Sequence, residues 1–280
     1  MRTLAVTSGL VVVVLTLLFT TCLFGCGGKV DKSFQPQARV EKWDNSEWAS
    51  VLAAVATPDG LVRHDLLKNN TNGVRDRLFR YVGMINVAGP ENRPDLFPTE
   101  KDKLAYYINA YNAVCMYLVV KRDFPKDHSK GIPPYGLYFV DKVPVGGKNM
   151  NLDFMEKTYL RPVDPRIHFA INCMSASCPP LRNEPYESAR LDAQLDEQGR
   201  RFLSDRRGAY RDGDKVVISE IFKFFTNDFV QPFANRSGRK DASVLDAIQQ
   251  YAADDSPIRG AASFAFQDYD WSLNKAADGR

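Results

Sequence analysis

Leu104-Ala-Tyr-Tyr-Ile-Asn-Ala-Tyr-Asn-Ala-Val-Cys-Met-Tyr-Leu-Val-Val120 carries no charge and is flanked by Lys103 and Lys121. A helix that is apolar on every side is a buried one. Thr99-Glu-Lys-Asp102 supplies a capping-box-like start for it. A membrane span is the weaker reading, because the run sits at the lower length limit and holds Asn109 and Asn112. These two amides lie three residues apart, on one helix face. Leaving a buried amide unpaired costs roughly 1–3 kcal/mol. They must therefore either join a polar network that fixes the helix or line a pocket.

Other segments arrange themselves around this helix. From Trp43 onward, Trp48, Val51, Leu52 and Val55 recur at helical spacing until Pro58-Asp59-Gly60 turns the chain. Val74, Leu78, Tyr81, Val82 and Ile85 form the apolar face of a second helix. After the central helix, Gly136 to Val145 reads as a strand and Gly146-Gly147-Lys148-Asn149 as a tight turn. Asn151-Leu152-Asp153 opens a short helix ending near Arg161-Pro162, and Arg166 to Cys173 reads as a buried strand. Tyr186 to Leu203 has an amphipathic stripe of Leu191, Leu195, Phe202 and Leu203. Tyr210 to Ile218 is a hairpin turning at Asp212-Gly213. Ser219 and Ser243 each start a helix, and the aromatic tail Phe264 to Trp271 packs back on the core. The fold class is mixed α and β (α+β): a helix-rich single globular domain with a small sheet.

The N-terminus lies outside that domain. Arg2 gives a positive start, Leu10 to Phe19 is almost wholly aliphatic, and Gly25-Cys26-Gly27-Gly28 follows. A charged start, a short apolar stretch and small residues at a cut describe a secretory signal. Cysteine after the small residue resembles the bacterial lipobox, which implies cleavage before Cys26 and lipidation of its thiol. An uncleaved anchor is the alternative. The expected layout is a lipoprotein signal peptide over 1–25, a lipid-anchored tether over 26–42 and a domain over 43–280. The protein would then sit in the cell envelope, outside the cytoplasm. Gly27 in place of Asp implies the outer membrane, facing the periplasm, if the host has one. The partner so implied is the membrane. With 37 Lys and Arg against 34 Asp and Glu and no basic run, nucleic acid is not expected.

The chemistry-bearing stretch is Arg166-Ile-His-Phe-Ala-Ile-Asn-Cys-Met-Ser-Ala-Ser-Cys-Pro-Pro-Leu181. Strand alternation would set His168, Ala170 and Asn172 on one face and Ile167, Phe169, Ile171 and Cys173 on the other. Cys178, in the loop, could then fold back toward His168 and Asn172. A thiolate nucleophile, an imidazole base and an orienting amide make a hydrolase or acyl-transferase site. Three other readings compete: a Cys173–Cys178 disulfide in an oxidising compartment, a merely buried His168 with packed cysteines, and a metal set completed by Glu156 or Asp164. Neither metal nor cofactor belongs to the leading reading. Asp153 and Glu156 share a helix face, and Arg161 and Arg166 could receive a carboxylate. His64 and His128 lie in polar, turn-like surroundings and read as surface residues.

Several motifs resemble one known family. They are Lys103-Leu-Ala-Tyr-Tyr-Ile-Asn-Ala-Tyr-Asn112, Asn151-Leu-Asp-Phe-Met-Glu-Lys-Thr-Tyr-Leu-Arg161, Asp164 to Cys173 with Ser177-Cys-Pro-Pro-Leu181, Leu191-Asp-Ala-Gln-Leu195 with Arg201-Phe202, and Tyr269-Asp-Trp-Ser-Leu-Asn274. Together they are similar to the family called domain of unknown function 547, over about Glu47 to Asn274. The resemblance implies one compact domain, common in secreted or lipid-anchored bacterial proteins, and no settled reaction. It groups Asn109, Tyr111, Asn112, Glu156, Arg161, Arg166, His168, Cys173 and Cys178. Lys157 departs from the family, which often has histidine there, and this argues against a catalytic or metal-binding histidine at that place. Two functions are carried forward: a cysteine-dependent hydrolase or acyl transferase acting on an amide or ester, with Cys178, His168 and Asn172 as catalytic residues and Asn109, Asn112, Glu156 and Arg166 as binding residues; or a non-catalytic envelope binding module stapled by Cys173 and Cys178.

Overall fold

The computed structural model describes residues 39–131 and 133–277. The expected signal peptide, Cys26 and most of the expected tether lie outside the described residues. Helix α1 (Ser46–Val55) buries Trp48, Val51, Leu52 and Val55, the four positions its periodicity singles out. Helix α2 (His64–Asn69) follows, and then α3 (Val74–Val87), whose Leu78, Tyr81, Val82 and Ile85 face inward. Helix α4 (Glu100–Lys121) is the uncharged helix. Thr99 and Asp102 close a reciprocal capping box at its start, and every residue from Leu104 to Met116 is buried. No described helix is long and apolar enough to cross a membrane.

The next stretch departs from expectation. Gly136 to Phe139 is a helical turn, α5 (Gly136–Phe139), and the strand is confined to β1 (Val143–Val145), paired antiparallel with β2 (Lys148–Met150). Helix α6 (Leu152–Met155) runs on into a π-turn over Glu156–Leu160, where the Arg161 N–H donates to the Glu156 carbonyl. Such π-turns are rare and concentrate at functional sites. The expected buried strand at Arg166 to Cys173 is instead a helical turn, α7 (Ile167–Ala170). A short apolar run fits a buried helix as well as a strand. Asp164-Pro165 decides it here, because the Asp164 carboxylate accepts the Arg166 N–H and starts the turn.

Helix α8 (Leu191–Ser204) carries the expected stripe. Strands β3 (Ala209–Asp212) and β4 (Lys215–Ser219) form the hairpin, followed by α9 (Ile221–Phe224), α10 (Thr226–Ser237) and α11 (Val244–Gln249). The tail supplies β5 (Phe264–Gln267), parallel to β4, which completes a three-stranded sheet. The architecture is helix-rich α+β, as expected.

Two apolar cores meet at α7. Ile167 and Ala170 belong to the core built on α1, α3 and α4, whereas Phe169 packs with Phe202, Phe222 and Phe229 in the second. The chain leaving α7, residues 171–181, therefore runs along the junction of the cores. The tail weaves across it: Ala176 N–H donates to the Ser272 carbonyl, Ser177 N–H to Asp270 and Asn274 N–H to Met174. Gly60 is required on the other side, because a Cβ there would fall 2.4 Å from the Pro180 Cβ.

Candidate thiol site

Buried amides hold the backbone around the cysteines. Asn112 on α4 donates from Nδ2 to the Ala170 carbonyl at 3.0 Å and accepts the Asn172 N–H on Oδ1 at 2.7 Å. Asn172 donates to the Pro179 carbonyl at 2.7 Å and accepts the Met174 N–H at 2.8 Å, bridging the loop internally. Gln198 of α8 reaches the Phe169 and Pro180 carbonyls. His128 Nε2 meets the Met174 carbonyl at 3.0 Å. These bonds hold Met174, fully buried and next to Cys173, at φ +61°. An unbranched residue with positive φ is uncommon, and surrounding structure must over-determine it.

The loop so held brings the two thiols together. Cys173 Sγ and Cys178 Sγ are 2.7 Å apart, and both are free thiols, so the expected disulfide is not present. Ser175 Oγ lies 3.0 Å from Cys173 Sγ and 3.3 Å from Cys178 Sγ. Tyr269, delivered by the tail, places its hydroxyl 3.4 Å and 3.3 Å from the same two sulfurs and 2.9 Å from Ser175 Oγ. The Cys173 N–H donates to Cys178 Sγ at 3.1 Å, and the contact between the two sulfurs accommodates a proton on either one.

These donors separate the two thiols electrostatically. Burial would push Cys173 up, but hydrogen bonds from Cys178, Ser175 and Tyr269, with the nearby His128 ring, hold it down at about 5. Burial raises Cys178 well above the ordinary thiol value, and the neighbouring Cys173 charge raises it further. Cys173 is the half-buried member of the pair and Cys178 is 2 % exposed. Of the two thiols, Cys173 is therefore the one held below the ordinary thiol value and nearer to solvent, whereas strand alternation had turned Cys178 toward His168. The alternation fails because the chain is helical where a strand was assumed.

A cavity of about 440 Å³ opens on the thiols. Its lining includes Cys173, Cys178, Tyr111, Glu156, Arg161, His168 and Tyr269, with Tyr138, Phe225 and Trp271 among its aromatic walls. Glu156 sits in the π-turn. Burial raises its carboxyl to about 7, opposed by Arg161 and reinforced by Cys173 and Asp153. Tyr111 hydroxyl makes a long hydrogen bond to Glu156 Oε2 at 3.4 Å. The pocket therefore joins a thiol held below its ordinary value to a carboxyl raised above its own.

His168 is not bonded to either thiol. Its Nε2 meets Asp228 Oδ2 at 2.8 Å, and its ring stacks on Phe225 with centroids 4.0 Å apart. Asp228 also receives Arg161 through two bonds of 2.6 and 3.0 Å. Burial lowers His168 below the usual histidine range. Asp228 stays well below the usual carboxylate range: its burial is outweighed by the His168 and Arg161 hydrogen bonds.

Other expected residues sit elsewhere. Asn109 pairs with the Tyr186 backbone in both directions and is 1 % exposed, so it is scaffold, not pocket wall. Asn112 and Asn172 are likewise occupied with backbone, and neither orients an imidazole. Arg166 is spent on Asp164, Asp192 and Asp196, tying α7 to α8. That pairing also takes Asp164 away from any ligand set with the thiols. A second, more open groove of about 770 Å³ borders these ion pairs and is lined by Arg161, Asp228 and Arg236 but by no cysteine. His64 and His128, read as surface residues, are buried: His64 Nε2 meets Asn274 Oδ1 at 3.1 Å. Sequence reasoning missed Asp228, Ser175 and Tyr269 as site residues. Tyr269 lay within a quoted motif, whereas nothing around Asp228 distinguished it.

Residues 96–203 match the family described as Protein of unknown function, DUF547. This span includes α4, Glu156, His168, Cys173 and Cys178, while Asp228 and Tyr269 lie beyond it. No curated protein and no solved structure matches the chain.

Proposed function

We propose that this protein is a thiol-dependent hydrolase or acyl transferase acting on an ester or amide, held at the envelope membrane by a lipid on Cys26. The observation that carries the catalytic reading is the convergence of Cys178, Ser175 and Tyr269 on Cys173 Sγ, in a pocket shared with Glu156. A thiolate already formed at neutral pH needs no general base to attack a carbonyl. Its sulfur would bond to the acyl carbon, the alcohol or amine would leave with the Glu156 proton, and a thioester would remain on Cys173. A water giving its proton back to Glu156 would then release the acid and restore the thiolate. A carboxyl near 7 suits both proton transfers.

The 2.7 Å thiol pair favours a second reading, thiol–disulfide exchange, in which Cys178 resolves a mixed disulfide formed on Cys173. Exposure to a p-nitrophenyl acyl ester separates the two. The acyl-transfer reading expects a burst of nitrophenolate and an acyl mass on Cys173, abolished by Cys173→Ser and retained in Cys178→Ala. Without such an adduct, but with rapid loss of two hydrogen atoms to oxidised glutathione, which forms the Cys173–Cys178 disulfide and two reduced glutathiones, the exchange reading replaces it. Inertness in both assays leaves the non-catalytic binding module.

A further inference from the structure

Of the apolar side chains left exposed, Phe139 and Phe224 stand at the mouth of the thiol pocket, Val140 and Phe154 adjoin Phe139, and Val163 borders the second groove. Among the described residues, the large hydrophobic side chains most exposed are Phe139, Val140, Phe154, Phe224 and Val163, each 39–55 % exposed. Phe139 and Phe224 line the pocket. Val140 follows Phe139 in the chain, and Asn151 joins Phe154 to Phe139, donating to the Phe139 carbonyl and accepting the Phe154 N–H. Monomeric surfaces seldom collect apolar side chains in this way without a partner.

On the Phe139–Phe154 side of this rim the exposed charges outside ion pairs are lysines. Lys142 and Lys148 are exposed, and Lys148 Nζ lies 5.0 Å from the centroid of the Phe154 ring. Asp141 pairs with Arg122, Asp153 with Lys157 and Glu220 with Lys223, whereas Asp268 and Asp270, on either side of Tyr269, are exposed. Phenylalanines backed by lysines are the composition of a face that enters the headgroup region of an anionic bilayer.

The N-terminal connection enters beside the same rim. Val40 packs on Met84 and Ala88, and its carbonyl accepts from Arg93. Gly89 is in close contact with Gly146, in the β1–β2 turn next to Lys148. If Cys26 bears the lipid, the chain to Arg39 spans at most roughly 45 Å, enough for the rim to rest on the surface that holds the anchor.

We infer that this mouth docks on an anionic phospholipid bilayer, so that the pocket takes the apolar chain of a membrane-held ester or amide. The rim stands on its own geometry; only the substrate class and the role of the tether rest on the function proposed above. The test is hydrogen–deuterium exchange of the full chain reconstituted in three settings: phosphatidylglycerol–phosphatidylcholine vesicles, phosphatidylcholine vesicles, and detergent micelles. Amides of residues 139–142 and 153–157 are expected to exchange at least about threefold more slowly on the anionic vesicles. Phe139→Ser combined with Phe154→Ser removes that protection, and Lys142→Gln with Lys148→Gln reduces it to the phosphatidylcholine level. Cys173→Ser retains it, so a failure of the thiol reading is seen separately. Equal exchange in all three settings overturns the inference. So does protection that persists in detergent and grows with protein concentration, since a second copy would then cover the rim.

Discussion

Cys173 and Cys178 are chemically identical side chains made different by their surroundings. Cys173 has Cys178, Ser175 and Tyr269 as hydrogen-bond partners that hold it below the ordinary thiol value, while burial beside Cys173 raises Cys178. A hydrogen bond to a charged acceptor contributes about 1.5–3 kcal/mol. Cys178→Ala should therefore raise the Cys173 pKa by about 1–2 units, read from ultraviolet thiolate absorbance in a Cys115→Ser background. An unchanged titration would mean that Ser175 and Tyr269 suffice. Glu156 defines the other limb. With Cys173 near 5 and Glu156 near 7, the acylation rate should rise with pH through the first value and fall through the second. Glu156→Gln should remove the alkaline fall while lowering the maximum; a profile of unchanged shape would take Glu156 out of the proton transfer. Both residues stood out in the sequence as motif members. Which cysteine carries the charge did not, because that depends on backbone direction over four residues and on a tyrosine ninety-six positions away.

At the scale of elements, α4 acts through Asn112 more than through its apolar length. Asn112→Ala would leave the Ala170 carbonyl and the Asn172 N–H unpaired in the core. At about 1–3 kcal/mol per unsatisfied group, the loss should be on the order of 3–4 kcal/mol by urea denaturation, accompanied by slower alkylation of Cys173. By contrast, Thr99→Ala at the exposed cap of the same helix should cost about 1 kcal/mol and leave the thiol unaffected. A comparable cost for both variants would deny the asparagine its special place. Helices were the legible part of this fold. Four-residue apolar spacing in α1 and α3, the uncharged run in α4 and the capping serine of α11 each reflect a local rule. Short elements were not legible. The runs at Gly136 and Ile167 suit strand or helix equally; at α7 the Asp164 turn and packing between two cores chose the helix. Asp228 was hidden for a related reason: its meaning comes from His168 and Arg161, sixty and sixty-seven residues earlier.

For the whole molecule, two buried groups tilt stability with pH in opposite directions. Burial lowers His64 to about 4, opposed by its hydrogen bond to Asn274. A depressed pKa means the folded state binds fewer protons, so this contribution is complete above about 6.5 and is lost as pH falls toward 4. Glu156 is raised to about 7, so the folded state holds its proton longer, and stability is gained as pH falls from 7 toward 4.5. Each is worth on the order of 3 kcal/mol across its window; Cys173 and His168, both held below their ordinary values, add losses of the histidine's sign, so the wild-type protein should lose stability as pH falls. Glu156→Gln should steepen that loss in urea midpoints, and His64→Gln should make it shallower. Parallel curves for all three proteins would refute the assignment. Below pH 4, protonation of Asp228 should add a further loss as its bonds to His168 and Arg161 weaken.

The account turns on one thiolate. Iodoacetamide labelling of the native, reduced protein from pH 4 to 9, followed site by site by mass spectrometry, measures it directly. Cys173 should label fastest, with half its limiting rate near pH 5, while Cys178 stays unmodified until the protein is unfolded. Labelling of Cys173 with a midpoint near the ordinary thiol value of about 8.5, or labelling of Cys178 first, would contradict it.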